Sequence, residues 1–168
     1  MTTLSTDIRR AGPEDADAIA LVHDRSWRAA YTGIIPHRAL ISMIGRRGPR
    51  WWADAIRRST TVLLLEVGGH VAGYATLGRN RARELPQDGE IYELYLSPEF
   101  QGIGFGRRLF QTAWDMLSAH GFEGLVVWVL EENEPARAFY ESLGGRNVAE
   151  SIEVFDGKAL RKVAYVWD

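Results

Sequence analysis

The sequence predicts an α/β (α+β) fold: a mixed, mostly antiparallel sheet of about six to seven strands with one parallel pair, flanked by about four helices. Three observations predict it. Leu125-Val-Val-Trp-Val-Leu130 is a continuous apolar run, the pattern of a strand buried on both faces. Glu90–Leu96 reads as a strand separated from that run by a helical stretch, and this order suggests a right-handed crossover between parallel strands. Thr61–Val67 and His70–Leu77 flank Gly68-Gly69, which marks an antiparallel hairpin.

Each element has a local reason. Ile8–Arg10 is a short first strand. Pro13-Glu14-Asp15 opens a helix to about Tyr31, because proline suits a first turn and acids suit the positive end of the helix dipole. Ala18, Ile19, Val22 and Trp27 give it an apolar side, and Thr32–Pro36 ends it. A second helical stretch covers His37 to Arg58, broken near Gly48-Pro49. After Glu90–Leu96 a helix runs from about Gly104 to His120, with Leu109, Phe110, Ala113, Met116 and Leu117 at helical spacing. Gly121 stops it. A shorter helix, Pro135–Leu143, stops at Gly144-Gly145. Two last strands, Arg146–Phe155 and Ala159–Trp167, turn at Asp156-Gly157.

Composition bounds the function. The 168 residues, 46% apolar and 25% charged, fit a single domain over residues 1–168. With no cysteine, disulfides, thiolate metal sites and cysteine nucleophiles are excluded. A net charge of -2 argues against a broadly basic nucleic-acid binder. Lys158 and Lys162 are the only lysines, so 18 of the 20 basic residues are arginine. Met1–Arg10 has no apolar signal core, and no run approaches a membrane span, which leads to the expectation of a cytoplasmic protein without membrane or nucleic-acid partners.

The sharpest motif is Gln101-Gly-Ile-Gly-Phe-Gly-Arg-Arg108, between a strand and a helix. Alternating glycines let backbone approach a ligand, and the unpaired N–H groups of a helix start attract phosphate. The same glycines also suit a plain tight turn. A Walker A loop is excluded because no lysine follows, and a dinucleotide fingerprint is excluded by the G-x-G-x-G spacing.

The stretch Ile91–Leu109, carrying Gln101-Gly-Ile-Gly-Phe-Gly106, resembles the acetyl-CoA motif of the GNAT N-acetyltransferases, Q/R-x-x-G-x-G/A after a strand. Asn133-Glu-Pro-Ala-Arg-Ala-Phe-Tyr-Glu-Ser-Leu-Gly144 resembles the family's second motif, N-x-x-A-x-x-F-Y-x-x-x-G. The resemblance is tight over about Ile91–Gly145, and it departs at Gly144-Gly145-Arg146, where Gly-Phe is commoner.

The resemblance implies a GNAT fold with a splayed parallel pair and transfer of an acetyl group from acetyl-CoA to a primary amine. It places the pantetheine arm against the main chain of Leu94, Tyr95 and Leu96, and the pyrophosphate against Gln101, Gly102, Ile103, Gly104, Phe105, Gly106 and Arg107. Asn133 would touch the cofactor arm, and Arg137 a CoA phosphate. Tyr140 matches the tyrosine beside the CoA sulfur, where a phenol protonates a leaving thiolate; the plain alternative is a helix-face aromatic beside Phe139. Such proteins often form homodimers. Acyl transfer of this kind needs no metal. A non-catalytic acyl-CoA sensor and a transferase of another acyl-CoA are the alternatives.

Glu93, mid-strand in an apolar run, is the candidate general base; a salt bridge or an exposed strand face would also explain it. The next strand offers Trp128 where some relatives place a glutamate, with Glu131 and Glu132 as substitutes. Trp27, Tyr31 and Tyr92 are the candidate acceptor wall, with Trp51 and Trp52 as additions. Strand alternation sets Tyr92 opposite to Glu93. Arg79, Arg81 and Arg83 read as a solvated basic loop or an anion contact.

Overall fold

The computed structural model describes residues 4–168, so Met1–Thr3, the head of the segment read as lacking a signal core, lie outside the described residues. The elements run β1 (Thr6–Arg10), α1 (Ala16–Tyr31), α2 (His37–Arg46), α3 (Pro49–Arg57), β2 (Thr61–Val67), β3 (His70–Arg79), β4 (Gly89–Leu96), α4 (Phe105–Ala119), β5 (Leu125–Leu130), α5 (Glu134–Ser142), β6 (Arg146–Phe155) and β7 (Lys158–Trp167). The expected architecture holds, with five helices rather than about four. The extra one arises where Pro49 breaks the His37–Arg58 stretch: proline cannot continue α2 but suits the first position of α3. That break leaves Arg47 on the joint between the two helices.

The seven strands form one sheet in the order β1-β2-β3-β4-β5-β7-β6. All neighbours are antiparallel except β4 and β5. Both hairpin turns use the left-handed backbone that a two-residue turn requires: φ is 58° and 80° at Gly68 and Gly69, and 46° and 82° at Asp156 and Gly157.

The sheet is covered on both faces. On one, α4 and α5 bury Leu109, Phe110, Ala113 and Tyr140 against β3, β4, β5 and β7. On the other, α1 and α3 bury Ile19, Val22 and Trp52 against Val62, Leu64 and Tyr74. Fully burying a side chain such as Ile19 or Phe110 contributes about 1.5–3 kcal/mol. A third cluster joins α1 and α2 to the ends of β5, β6 and β7 through Trp27, Leu40, Leu130 and Leu160.

Two irregularities shape the site. β4 and β5 are paired only at Gly89–Leu125 and Glu90–Val126, after which the strands part. β4 also carries a bulge: Thr76 pairs with Glu93 and Leu77 with Ile91, so Tyr92 has no partner. No helix among the described residues is long and apolar enough to cross a membrane.

Candidate active site

The bulge decides which side chains of β4 share a face. Ile91, Leu94 and Leu96 pack towards α4 and its core. Glu90, Tyr92, Glu93 and Tyr95 line a cavity of about 490 Å3 on the α1 side. Strand alternation would set Tyr92 opposite to Glu93, but the extra residue inserts one step into the two-residue period and puts both on the cavity. The candidate acceptor residues Trp27 and Tyr31 line the same cavity, and Trp128, Val129 and Leu130 of β5 supply its far wall.

Glu93 is held on both oxygens. Arg47 donates to Oε1, and Thr76 Oγ1 donates to Oε2 at 3.3 Å. Burial pushes its pKa up, while the charge and hydrogen bond of Arg47 and the hydroxyl of Thr76 oppose that rise. The salt-bridge reading of Glu93 thus describes its resting contacts, yet its carboxylate still faces the cavity. Composition and spacing gave no sign of Arg47 or Thr76; a buried carboxylate calls for such partners, but only the fold names them.

The aromatic candidates divide. Tyr31 and Tyr95 join hydroxyl to hydroxyl, and Trp27 lies against both. Burial pushes the Tyr31 phenol up to about 12. The Tyr92 hydroxyl donates to the Arg79 carbonyl at 2.6 Å, and the Arg81 guanidinium lies 4.1 Å from its ring centre. Trp51 and Trp52 are not cavity wall. Trp52 is fully buried in the α1–α3 core, and Trp51 instead carries the Arg47 guanidinium 4.6 Å from its ring centre. The basic loop is not simply solvated, since Arg81 pairs with buried Glu90 at 2.9 Å and Arg79 lies over Phe122. Glu131 pairs with Arg161 at 3.5 Å, and neither it nor Glu132 lines the cavity.

At the end of β4 the Gln101 side-chain amide donates to the Leu96 carbonyl at 2.9 Å and ties the glycine turn to the strand. Gly102 and Gly104 have φ of 78° and 94°, where a side chain is strained, and no atom lies within 4 Å of where a Cβ would stand on either. Gly106 is glycine for another reason: a Cβ there would stand 3.2 Å from the Phe139 ring. Ile103 and Arg107 are exposed, and Phe105 begins α4 beside Phe100. The open glycine backbone, the free N–H groups of the first turn of α4 and the parted strands leave a path for an anionic, extended ligand. These features fit the diphosphate and arm of CoA.

Behind that path, Tyr140 is buried among Phe110, Phe139, Tyr165 and Trp167, and burial drives its pKa well above the ordinary phenol value. Its hydroxyl makes no hydrogen bond among the described residues, so its proton is uncommitted and it stays a phenol at neutral pH. Asn133 accepts from Ala136 N at 3.4 Å and caps α5. Arg137 is engaged by the Tyr165 hydroxyl at 3.2 Å and the Glu131 carbonyl at 3.3 Å, which turns it towards β7. No group of three or more potential metal ligands occurs among the described residues.

Residues 25–145 match the model of the acetyltransferase (GNAT) family. The chain is 36% identical over 160 residues to the uncharacterized N-acetyltransferase YuaI of Bacillus subtilis, covering 95% of this chain and 91% of that protein. Among solved structures it is similar to the PaiA N-acetyltransferase of Thermoplasma acidophilum in complex with coenzyme A, with TM-score 0.75 and 22% identity over 95% of this chain and 98% of the other. It is also similar to YncA of Salmonella typhimurium with its cofactor acetyl-CoA, with TM-score 0.70 and 24% identity over 96% and 92% of the two chains. The chain belongs to the acetyltransferase (GNAT) family, and its class is that of an N-acetyltransferase.

Proposed function

We propose that the protein transfers an acetyl group from acetyl-CoA to a primary amine by direct attack in a ternary complex. The observation that carries this is the parting of β4 from β5 after Glu90 and Val126, with the glycine turn at one end and the Glu93 cavity on one face. Acetyl-CoA supplies an activated acyl group. The glycine turn holds its diphosphate, and main-chain groups of Leu94, Tyr95 and Leu96 hold its arm. A main-chain N–H of β4 stabilises negative charge developing on the carbonyl oxygen.

Glu93 takes one proton from the protonated amine, directly or through water, and so creates the nucleophile. A new N–C bond forms as the C–S bond breaks. The second nitrogen proton is lost to solvent, Tyr140 delivers its phenol proton to the leaving sulfur and regains one from solvent, and Glu93 releases its proton to solvent to restore the base. The products are an N-acetyl amide and CoA thiol.

A second reading is favoured by one observation, the engagement of both Glu93 oxygens. A non-catalytic acyl-CoA sensor has no need of a free base. The glycine turn reads only the CoA end, so a longer acyl chain fits the same reading. Free-thiol release from acetyl-CoA and other acyl-CoAs, across a panel of amines, tests these together. Amine-dependent release supports transfer, and binding without release from any amine supports the sensor.

A further inference from the structure

We infer that the acceptor is a zwitterion, an α-amino acid with an apolar or aromatic side chain, whose carboxylate is taken by Arg47 and whose ammonium is taken by Glu93. This rests on the acetyl-transfer reading and names its substrate class.

Arg47 sits at the cavity wall because Pro49 breaks the helix beside it. Its guanidinium lies 4.6 Å from the Trp51 ring centre and 5.7 Å from that of Trp27, so its plane is steered by aromatic neighbours. Only Nη1 is used, on Glu93; Nε and Nη2 donate to no acceptor among the described residues. A planar guanidinium with an unused edge matches a carboxylate, which accepts two parallel N–H bonds.

Three of the four acids that line the cavity are paired with a base. Arg47 faces Glu93, Arg81 faces Glu90 at 2.9 Å, and Lys162 faces Glu153 at 4.0 Å, which leaves Glu84 alone. A polycation would need more than the one unpaired acid, Glu84. A net-neutral ligand with one charge of each sign instead preserves the compensation that buried charges require. Arg47 and Glu93 are neighbours in the cavity wall, so a ligand that bridges them carries its opposite charges close together, as an α-amino acid does. Trp27, Tyr31, Ile35, Met43, Trp128 and Phe155 complete the wall and suit an apolar side chain.

The arrangement explains the engaged base. The ligand's carboxylate draws Arg47 from Glu93, and the ammonium replaces it there. Glu93 is freed when an acceptor arrives, next to the proton it must take. A peptide N-terminus or a simple amine lacks the adjacent carboxylate and leaves Arg47 in place.

The test compares leucine, methionine and phenylalanine with their α-amides. Thiol release gives turnover, and tryptophan fluorescence of CoA-loaded protein gives acceptor binding apart from turnover, because Trp27 and Trp51 flank the guanidinium. The acids are expected to exceed their amides by about 10- to 100-fold in kcat/KM, the range of one charge-assisted contact. Arg47→Gln is expected to erase that preference by raising KM for the acids, and Arg47→Lys to restore part of it. If Arg47 only holds Glu93, Arg47→Gln lowers kcat for acids and amides alike and leaves their ratio intact, which overturns the inference. Should Arg47→Gln not fold, the wild-type acid-to-amide ratio decides. Equal responses to acid and amide, or no response to any acid, also overturn it. Thiol release from other amines would then leave the transferase reading standing. Acid-selective fluorescence without thiol release from any amine supports the zwitterion site and removes the transferase reading.

Discussion

Tyr92 and Glu93 are consecutive residues of β4, yet both side chains reach the same cavity, because Thr76 pairs with Glu93 while Leu77 pairs with Ile91. One unpaired residue thereby sets a carboxylate beside a wall of aromatic rings instead of in the core under α4. Removing the bulge would turn Glu93 into that core, where a carboxylate has no partner.

Glu93→Gln is expected to lower kcat by about 10²–10⁴-fold, the usual worth of a positioned base. Burial raises the Glu93 pKa, and the base acts only when ionised. Activity should therefore fall as pH drops, with a limb above the ordinary glutamate range that is absent in the variant. A pH–rate profile of both proteins checks this, and an unchanged limb in Glu93→Gln would assign the base elsewhere.

Tyr140→Phe keeps the ring in its aromatic cluster and removes only the hydroxyl, which makes no hydrogen bond among the described residues. Thermal stability should change little. Loss of the proton donor should lower kcat by about 10²–10⁴-fold without weakening CoA binding. Steady-state kinetics beside calorimetric CoA titration separates the two effects, and near-normal kcat would return Tyr140 to a packing role.

Gly104 has φ of 94°, so Gly104→Ala places a Cβ in the left-handed region at a cost of about 1–2 kcal/mol. The turn must either carry that strain or shift. The expected outcome is weaker CoA binding and a lower unfolding midpoint, read by titration and urea denaturation. Full CoA affinity in this variant would argue that the turn does not hold the diphosphate.

His23 is fully buried, with Nδ1 3.0 Å from the Tyr74 hydroxyl, and burial pushes its pKa down to about 4. The unfolded chain then binds the proton first as pH falls. The group's contribution is present above its ordinary value of 6.5 and is lost as pH drops towards about 4. The difference is worth about 3 kcal/mol. Urea midpoints at several pH values should decline across that window in the wild type and less steeply in His23→Leu.

Much of the fold was legible because its punctuation is strong. Gly68-Gly69 and Asp156-Gly157 demand hairpin turns, and the apolar run Leu125–Leu130 has no other comfortable place than a central strand. The glycine turn was legible for the same reason. The cavity was less so. A bulge leaves no mark in the alternation of Glu90–Leu96, so alternation alone sets Tyr92 on the face opposite to the one it occupies. Arg47 belongs to a helix joint far from β4 in sequence, and Thr76 looks like any threonine in a strand. Trp51 and Trp52 are adjacent in sequence, yet the helix turns one into the core and the other outward to carry Arg47. Such long-range pairings depend on where the sheet and helices meet, which local pattern does not encode.

The most direct test is calorimetric titration of the folded protein with acetyl-CoA, CoA, ATP and NAD. Acetyl-CoA and CoA are expected to bind at one site, and ATP and NAD are not. Folded protein that binds neither acetyl-CoA nor CoA would contradict the reading of the glycine turn and the parted strands as an acyl-donor site.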